Sequence, residues 1–154
     1  MHIHQYQATV TWRGSTSDGY EGYDRSHVAR AGDASLELRL SSDPAFRGDP
    51  GLLNPEQLVV LAVASCQLLS FLAVAARAHI DVLEYEDTAV GEMPERPRPM
   101  SVERIVLRPR IIVRGPATAQ KVLRLVDLAH AECYIANSLR TEIQIYPQVM
   151  VREG

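Results

Sequence analysis

The feature that most constrains this chain is an uncharged, mostly apolar stretch at residues 58–76. It is too long for a strand and predicts a helix. The residues before it suit a helix start, since Asn54 can cap the first turn, Pro55 needs no hydrogen bond there, and Glu56 favours the positive end of the helix dipole. A helix that is apolar on nearly every side must be enclosed on nearly every side. We therefore expect the rest of the chain to pack around it.

A membrane span is the alternative interpretation of this stretch, because roughly 19 uncharged residues approach the length that crosses a bilayer. The stretch is rich in alanine and holds Ser65-Cys66-Gln67 near its middle, so it is only moderately hydrophobic. The remaining chain is composed of amphipathic strands that need an apolar partner. We therefore predict a buried central helix and no membrane association.

Length and composition predict one globular domain. The chain has 154 residues, 46% apolar and 23% charged, and we expect a single domain over residues 1–154. A net charge of −3 gives no electrostatic basis for binding nucleic acid. Residues 1–6 do not have the pattern of a secretion signal. Two cysteines in such a chain indicate a reducing, cytoplasmic location.

Hydrophobic periodicity predicts the element order β-β-β-α-β-β-α-β. The predicted strands are residues 4–12, 20–29, 35–40, 80–93, 102–113 and 142–151, the central helix ends near residues 77–79, and the second helix covers about 117–133. Hairpin-like strands separated by two helices favour an α+β fold over a doubly wound sheet. Pro109 indicates an edge or a bulge within the fifth strand.

The two cysteines, Cys66 and Cys133, fall on inward faces of the two predicted helices. They are either ordinary buried cysteines, which packing alone explains, or a reactive pair in which Cys66 is a thiolate and Cys133 closes a disulfide with it. The reactive pair needs a cation to lower the thiol pKa, because burial raises it. Arg47 and Arg25 are the candidates, and Glu56 could hold either by a two-pronged salt bridge.

Three segments decide between these interpretations. The first is Asn54-Pro55-Glu56-Gln57-Leu58 followed by Ala64-Ser65-Cys66, the second is Ala129-His130-Ala131-Glu132-Cys133-Tyr134-Ile135-Ala136-Asn137-Ser138-Leu139, and the third is the loop Asp43-Pro44-Ala45-Phe46-Arg47-Gly48-Asp49-Pro50. Together they resemble the OsmC/Ohr family of thiol-dependent hydroperoxide reductases, and the loop resembles that of the OsmC-like branch. The resemblance covers nearly the whole chain and agrees with the predicted element order.

The resemblance implies a two-cysteine peroxidase. In the family, the first cysteine attacks the O–O bond of an organic hydroperoxide and becomes a sulfenic acid. The second closes a disulfide, which a dithiol reductant reopens; lipoylated proteins serve in part of the family. By position, Cys66 is peroxidatic, Cys133 is resolving, and Glu56 is the acid that orients the arginine. Arg47 is the expected activating cation, with Arg25 as the alternative.

The resemblance also implies an OsmC-like fold and an intertwined homodimer with active sites at the subunit interface. The partner chain would then cover the side of the central helix that its own chain leaves open. Neither a metal nor an organic cofactor is implied. The chain departs from the family at Tyr134, where well-studied members often have proline, and at Gln67, where many have an apolar residue. The loop before the central helix is also longer than in Ohr proteins, and these departures bear on the hydroperoxide preference and the reductant.

The sequence also leaves open two other functions and raises the question of what its histidines do. A non-catalytic member of the same fold, binding a small molecule or a partner with merely structural cysteines, is the alternative function. A cysteine hydrolase using Cys66 with His130 is weaker, because no oxyanion loop is recognisable. His130 could shuttle a proton to Cys133 but is more simply a solvated or capping residue. His2 and His4 have no third ligand in view for a metal.

Overall fold

The computed structural model describes residues 1–153. They form two compact units, the first spanning Met1–Leu58 and the second starting at Val59. The long helix α1 (Pro55–Arg77) starts in the first unit and continues into the second. The predicted single domain over residues 1–154, whose last residue lies outside the described part, stays a prediction.

The first unit contains the predicted antiparallel meander. Its strands pair in the order β1-β2-β3, with β1 at Ala8–Thr11, β2 at His27–Ala31 and β3 at Leu38–Leu40. The prediction of a strand from residue 20 is wrong, since residues 20–26 are outside any strand. Gly19, directly before this segment, has a positive φ of 79°. The Arg25 guanidinium donates hydrogen bonds to the carbonyls of Tyr20 and Tyr23, which holds the segment in a turn.

The loop before α1 is shaped by its backbone. Asp43 caps a short 3-10 helix at Pro44–Phe46, and Arg47 follows with a positive φ of 64°. A Cβ on Gly48 would lie 1.6 Å from the carbonyl oxygen of Ser42. Only glycine permits this approach, so the loop that carries Arg47 is locally well defined.

The second unit contains two three-stranded sheets and two further helices. In chain order these are β4 (Val82–Glu86), β5 (Val90–Glu92), β6 (Arg104–Leu107), β7 (Arg110–Arg114), α2 (Ala119–Glu132), α3 (Tyr134–Ser138), β8 (Glu142–Ile145) and β9 (Gln148–Arg152). The strand orders are β4-β7-β9 and β5-β6-β8; β4/β7 and β5/β6 are antiparallel, whereas β6/β8 and β7/β9 are parallel. The α+β class is confirmed.

Each of the three long strands predicted for this unit is in fact two shorter strands. Two breaks fall at Pro109 and Pro147, because proline has no N–H for the ladder. Pairing continues across them, since the N–H of Gln148 donates to the Pro109 carbonyl at 2.8 Å. The third break falls at Asp87, whose carboxylate accepts the N–H of Arg108 at 2.7 Å and takes the place of a ladder bond.

Helix α1 buries one face within the second unit and exposes the other. Its buried residues are Val63, Gln67, Phe71, Val74 and Ala75, which pack against β6, β7 and α2. On the opposite face, Leu61, Leu69 and Leu72 are 60%, 63% and 39% exposed. One chain therefore does not enclose α1 on nearly every side.

By length and composition alone, α1 could cross a membrane. Its packing against two sheets and α2 is that of the core helix of an α+β fold. The apolar composition is explained without a bilayer, since one face is buried in this chain and the other presents leucines for a further contact.

The second predicted helix, α2, ends at Cys133, as expected. Thr118 caps α2 by accepting the N–H of Lys121 at 3.2 Å. The N–H of Cys133 closes the last turn on the His130 carbonyl at 3.2 Å, and its ψ of 112° is extended. The chain therefore changes direction at Cys133, and a further short helix, α3, which was not predicted, begins at Tyr134.

Candidate active site

The structure brings the two cysteines of the second unit together. Cys66 lies midway along α1 and is partly exposed, whereas Cys133 lies between α2 and α3 and is 1% exposed. Both are free thiols, and they lie close enough for the Cys133 thiol to lower the pKa of Cys66 by hydrogen bonding. A disulfide between them needs only local movement.

Buried contacts hold α1 against α2 at the level of the cysteines. Gln67, next to Cys66, is 1% exposed, and its Nε2 donates to the Val126 carbonyl at 3.3 Å. Phe71, one turn further along α1, packs in the same cluster as Ala129 of α2. These contacts fix the turn of α1 that carries Cys66 beside the end of α2.

The start of α3 supplies unpaired backbone donors to both sulfurs. Its first internal bond is from the Asn137 N–H to the Cys133 carbonyl at 3.0 Å, and no side chain caps the helix. The N–H groups of its first three residues therefore have no helical acceptor. Those of Ile135 and Tyr134 face Cys66 and lower its pKa, and those of Ala136 and Ile135 act in the same direction on the pKa of Cys133.

These contacts give Cys66 a lowered pKa. Burial is the largest single influence and raises the pKa of the thiol, but the N–H of Ile135, the Cys133 thiol, the N–H of Tyr134 and the Ser70 hydroxyl together outweigh it. Hydrogen bonds donated to a sulfur favour its anionic form. Cys66 is therefore the cysteine of the pair that ionises more readily.

Cys133 has the opposite preference. Burial raises the pKa of its thiol, and the neighbouring Cys66 raises it further through a hydrogen bond and through charge, while the N–H of Ala136 opposes them. Cys133 thus ionises less readily than its neighbour Cys66. A two-cysteine redox cycle uses such a difference, because the cysteine that ionises more readily is the better nucleophile.

The predicted arginines and Glu56 lie in the first unit. Arg47 forms an exposed ion pair with Glu21 at 2.8 Å. Arg25 donates to the Tyr23 carbonyl at 2.6 Å, and its guanidinium lies 3.9 Å from the centre of the Tyr23 ring. Among residues 1–153, Glu56 makes no ion pair with either arginine, so the predicted roles of Glu56, Arg47 and Arg25 at Cys66 stay predictions.

Arg25 and Glu56 do share an open cleft of about 370 Å³ within the first unit. Its apolar walls include Trp12, Tyr23 and Phe46. The cleft combines an aromatic lining with one guanidinium, one imidazole and the two carboxylates of Asp43 and Glu56, which suits an apolar ligand with a polar end.

The sequence analysis did not predict several residues that lie near the cysteines. Ser70 follows Cys66 by four residues, so helical spacing could have indicated it. Tyr85 of β4 lies near enough to Cys133 for a charge on that sulfur to act on its phenol, and no sequence pattern connects the two residues. The backbone of His130 closes the end of α2 while its Nδ1 is buried without a partner in the described chain, so its proton-shuttle role stays a prediction.

The N-terminal histidines form a separate, exposed pair. The rings of His2 and His4 meet edge to face with centroids 4.7 Å apart. Within residues 1–153, no group of three or more His, Cys, Asp or Glu side chains is arranged to hold a metal ion.

The fold and the adjacent thiols define a class of α+β proteins with a paired-cysteine site. The OsmC-like protein family matches residues 48–147, and the chain belongs to this family. The resemblance to the OsmC/Ohr family inferred from the sequence is therefore confirmed, and so is the fold.

Known relatives match along nearly their whole length. An OsmC-like protein of unknown function from Vibrio cholerae is 30% identical, with a TM-score of 0.82 over 96% of this chain and 100% of its own. A putative organic hydroperoxide resistance protein from the same organism, solved with captopril in one of its active sites, is 25% identical, with a TM-score of 0.65 over 97% and 93%. The uncharacterized protein YmaD of Bacillus subtilis is 18% identical over 100% of this chain and 99% of its own.

Proposed function

We propose that this protein is a thiol-dependent peroxidase that reduces organic hydroperoxides. The observation that supports it best is the pairing of a partly exposed Cys66, whose pKa is lowered by neighbouring donors, with a buried Cys133, whose pKa is raised by burial. Membership of a family with organic hydroperoxide resistance proteins among its relatives supports the same chemistry. A cytoplasmic location belongs to this proposal, because the cycle needs a supply of dithiol.

The cycle has three balanced steps. The Cys66 thiolate attacks one oxygen of the O–O bond, the bond breaks, and with one proton the products are a sulfenic acid and an alcohol. The Cys133 thiol then attacks the sulfenic sulfur, forming the disulfide and releasing water. A dithiol, such as a lipoylated protein, returns both cysteines to thiols and becomes a disulfide itself.

We propose further that the active form is a homodimer. The exposed Leu61, Leu69 and Leu72 form an apolar face on α1 next to the turn that carries Cys66. Glu56 and Cys66 are ten residues apart on one helix, which corresponds to about 15 Å of rise. This separation along the helix is too large for Glu56 to orient an arginine at the Cys66 of its own chain. In the dimer, Glu56 therefore orients the arginine at the Cys66 of the partner chain. Arg47 remains our first choice for that arginine, and Arg25, which shares the cleft with Glu56, is the alternative.

The direct test is consumption of cumene hydroperoxide by the purified protein in the presence of a dithiol. The variant Cys66→Ser should abolish turnover, whereas Ser65→Ala, an exposed neighbour on the same turn, should keep it. Cys133→Ser should still form a sulfenic acid at Cys66 but fail to form the disulfide. Unchanged turnover in Cys66→Ser would contradict the proposal.

A second candidate function is non-catalytic binding of a small molecule, which the aromatic cleft of the first unit favours. Thiol counting separates the two candidates. One equivalent of organic hydroperoxide should remove two thiols per chain from a peroxidase and none from a binding protein.

A further inference from the structure

Tyr85 places a phenol hydroxyl inside the second unit with nothing to bond to. Its ring lies against Phe71 with centroids 5.7 Å apart, and it packs on the core cluster that includes Ala129. The hydroxyl oxygen is buried and has no hydrogen-bond partner among residues 1–153. A buried donor without an acceptor is costly, and such a group in a folded protein calls for an explanation.

The surroundings of this hydroxyl lead to Cys133. Ala129 is one turn of α2 before Cys133, and Phe71 is one turn of α1 after Gln67, the neighbour of Cys66. Tyr85 therefore packs on Phe71 and on the core cluster to which Ala129 belongs, in the same region of the second unit as the two cysteines. It is close enough to Cys133 for a negative charge on that sulfur to act on the phenol.

The phenol is also kept in its donor form. Burial is the main reason that the pKa of Tyr85 is raised, and the nearby charges of Asp87 and Cys133 raise it further. Asp87 is itself held by the Arg108 N–H at 2.7 Å on one carboxylate oxygen. Tyr85 therefore presents an O–H to any acceptor that forms beside it.

Such an acceptor forms when the disulfide is reduced. Cys133 is 1% exposed, whereas Cys66 is partly exposed, so a dithiol reaches the Cys66 sulfur first. Its thiolate bonds to that sulfur, the S–S bond breaks, and the electron pair leaves on Cys133. The second thiol of the reductant then releases Cys66. Burial disfavours the Cys133 anion, which makes it a poor leaving group unless a donor stabilises it.

We propose that the Tyr85 hydroxyl donates a hydrogen bond to the Cys133 sulfur as that sulfur takes up negative charge during reduction of the Cys66–Cys133 disulfide. Tyr85 is thus assigned a role in the reductive half of the cycle and none in the attack on peroxide. This inference rests on the disulfide of the proposed function. It makes the otherwise unpaired hydroxyl a part of the site.

The test measures the reductive step by itself. The disulfide is formed with diamide, so that no peroxide is needed, and its reduction by dithiothreitol is followed by acid quenching, alkylation and mass spectrometry. Tyr85→Phe removes only the hydroxyl and should slow reduction by about tenfold, the size expected for losing a hydrogen bond to a charged sulfur. Tyr146→Phe removes an exposed hydroxyl that donates a hydrogen bond to Gln144. The disulfide of this variant should be reduced at the same rate as that of the unaltered protein.

A second measurement separates this role from a general structural one. Alkylation of Cys66 by iodoacetamide in the reduced protein should be equally fast with and without Tyr85→Phe. An unchanged reduction rate in Tyr85→Phe would overturn the proposal, as would an equally slow reduction in Tyr146→Phe. A slower alkylation of Cys66 in Tyr85→Phe, or failure of diamide to form the disulfide, would also overturn it. A protein inert to hydroperoxide that still shows the Tyr85→Phe effect would refute the peroxidase function and leave this proposal standing.

Discussion

At the scale of single residues, two cysteines of one chain have opposite protonation preferences. Both are partly or fully buried, and burial raises the pKa of each thiol. What separates them is the number of donors that face each sulfur, since Cys66 receives two backbone N–H groups and two side-chain donors. The cation expected from the sequence is therefore not the only means of activating Cys66.

The Tyr134 N–H should be measurable as one of these donors. Tyr134→Pro removes that N–H, and the backbone can accept it, because proline suits the first helical position and the preceding Cys133 has an extended ψ of 112°. The pH midpoint of Cys66 alkylation should then move upward, because the thiolate loses a donor and forms only at higher pH. At neutral pH we expect alkylation to slow by about threefold.

Tyr134→Ala is the matched control, since it keeps the N–H and removes only a side chain that is 81% exposed. Its alkylation profile should overlay that of the unaltered protein. Equal midpoints for the proline and alanine variants would show that this N–H does not act on Cys66.

At the scale of elements, the start of α1 is a reciprocal cap. The Gln57 N–H donates to Asn54 Oδ1 and the Asn54 N–H to Gln57 Oε1, each at 2.9 Å. Asn54 is 6% exposed, so water does not readily replace these bonds. Two donors that a helix start normally leaves unpaired are satisfied here.

Asn54→Ala should therefore destabilise the protein by about 1 kcal/mol, seen as a lower urea midpoint with an unchanged slope. Asn54→Ser keeps an oxygen that can accept the Gln57 N–H and should recover most of the loss. If alanine and serine were equivalent at this position, the side-chain cap would contribute nothing to stability.

At the scale of the whole molecule, the exposed face of α1 predicts self-association. Large apolar side chains in a row on one helix indicate an interface, and a two-fold dimer would place each of them in the contact twice. In sedimentation at micromolar concentration, the unaltered protein should therefore behave as a dimer.

Leu69→Glu should convert this dimer to a monomer, because it buries two unpaired carboxylates at the interface. Leu123→Glu, at an α2 position that is 39% exposed, is the control and should leave the dimer intact. A monomeric unaltered protein, or a dimer that tolerates Leu69→Glu, would contradict this prediction.

The sequence by itself determined the features that depend on near neighbours. The start of α1 at Asn54 and Pro55 was predicted correctly because a helix cap involves residues within one turn. The choice of Cys66 and Cys133 as the reactive pair depended on motifs that can be read along the chain. Of the chain breaks, the one at Pro109 was anticipated, because a missing N–H is a property of the residue itself. The same property marks Pro147, which was not singled out.

Only the tertiary structure decided how the cysteines differ. The pKa of Cys66 depends on groups near position 135, and that of Tyr85 on Cys133. These pairs are distant along the chain, and electrostatic and hydrogen-bond energies depend on separation in space, which the sequence pattern does not specify. The same reason explains why the backbone N–H groups beside Cys66 were not predicted from the sequence, whereas the arginine expected to activate it stays a prediction.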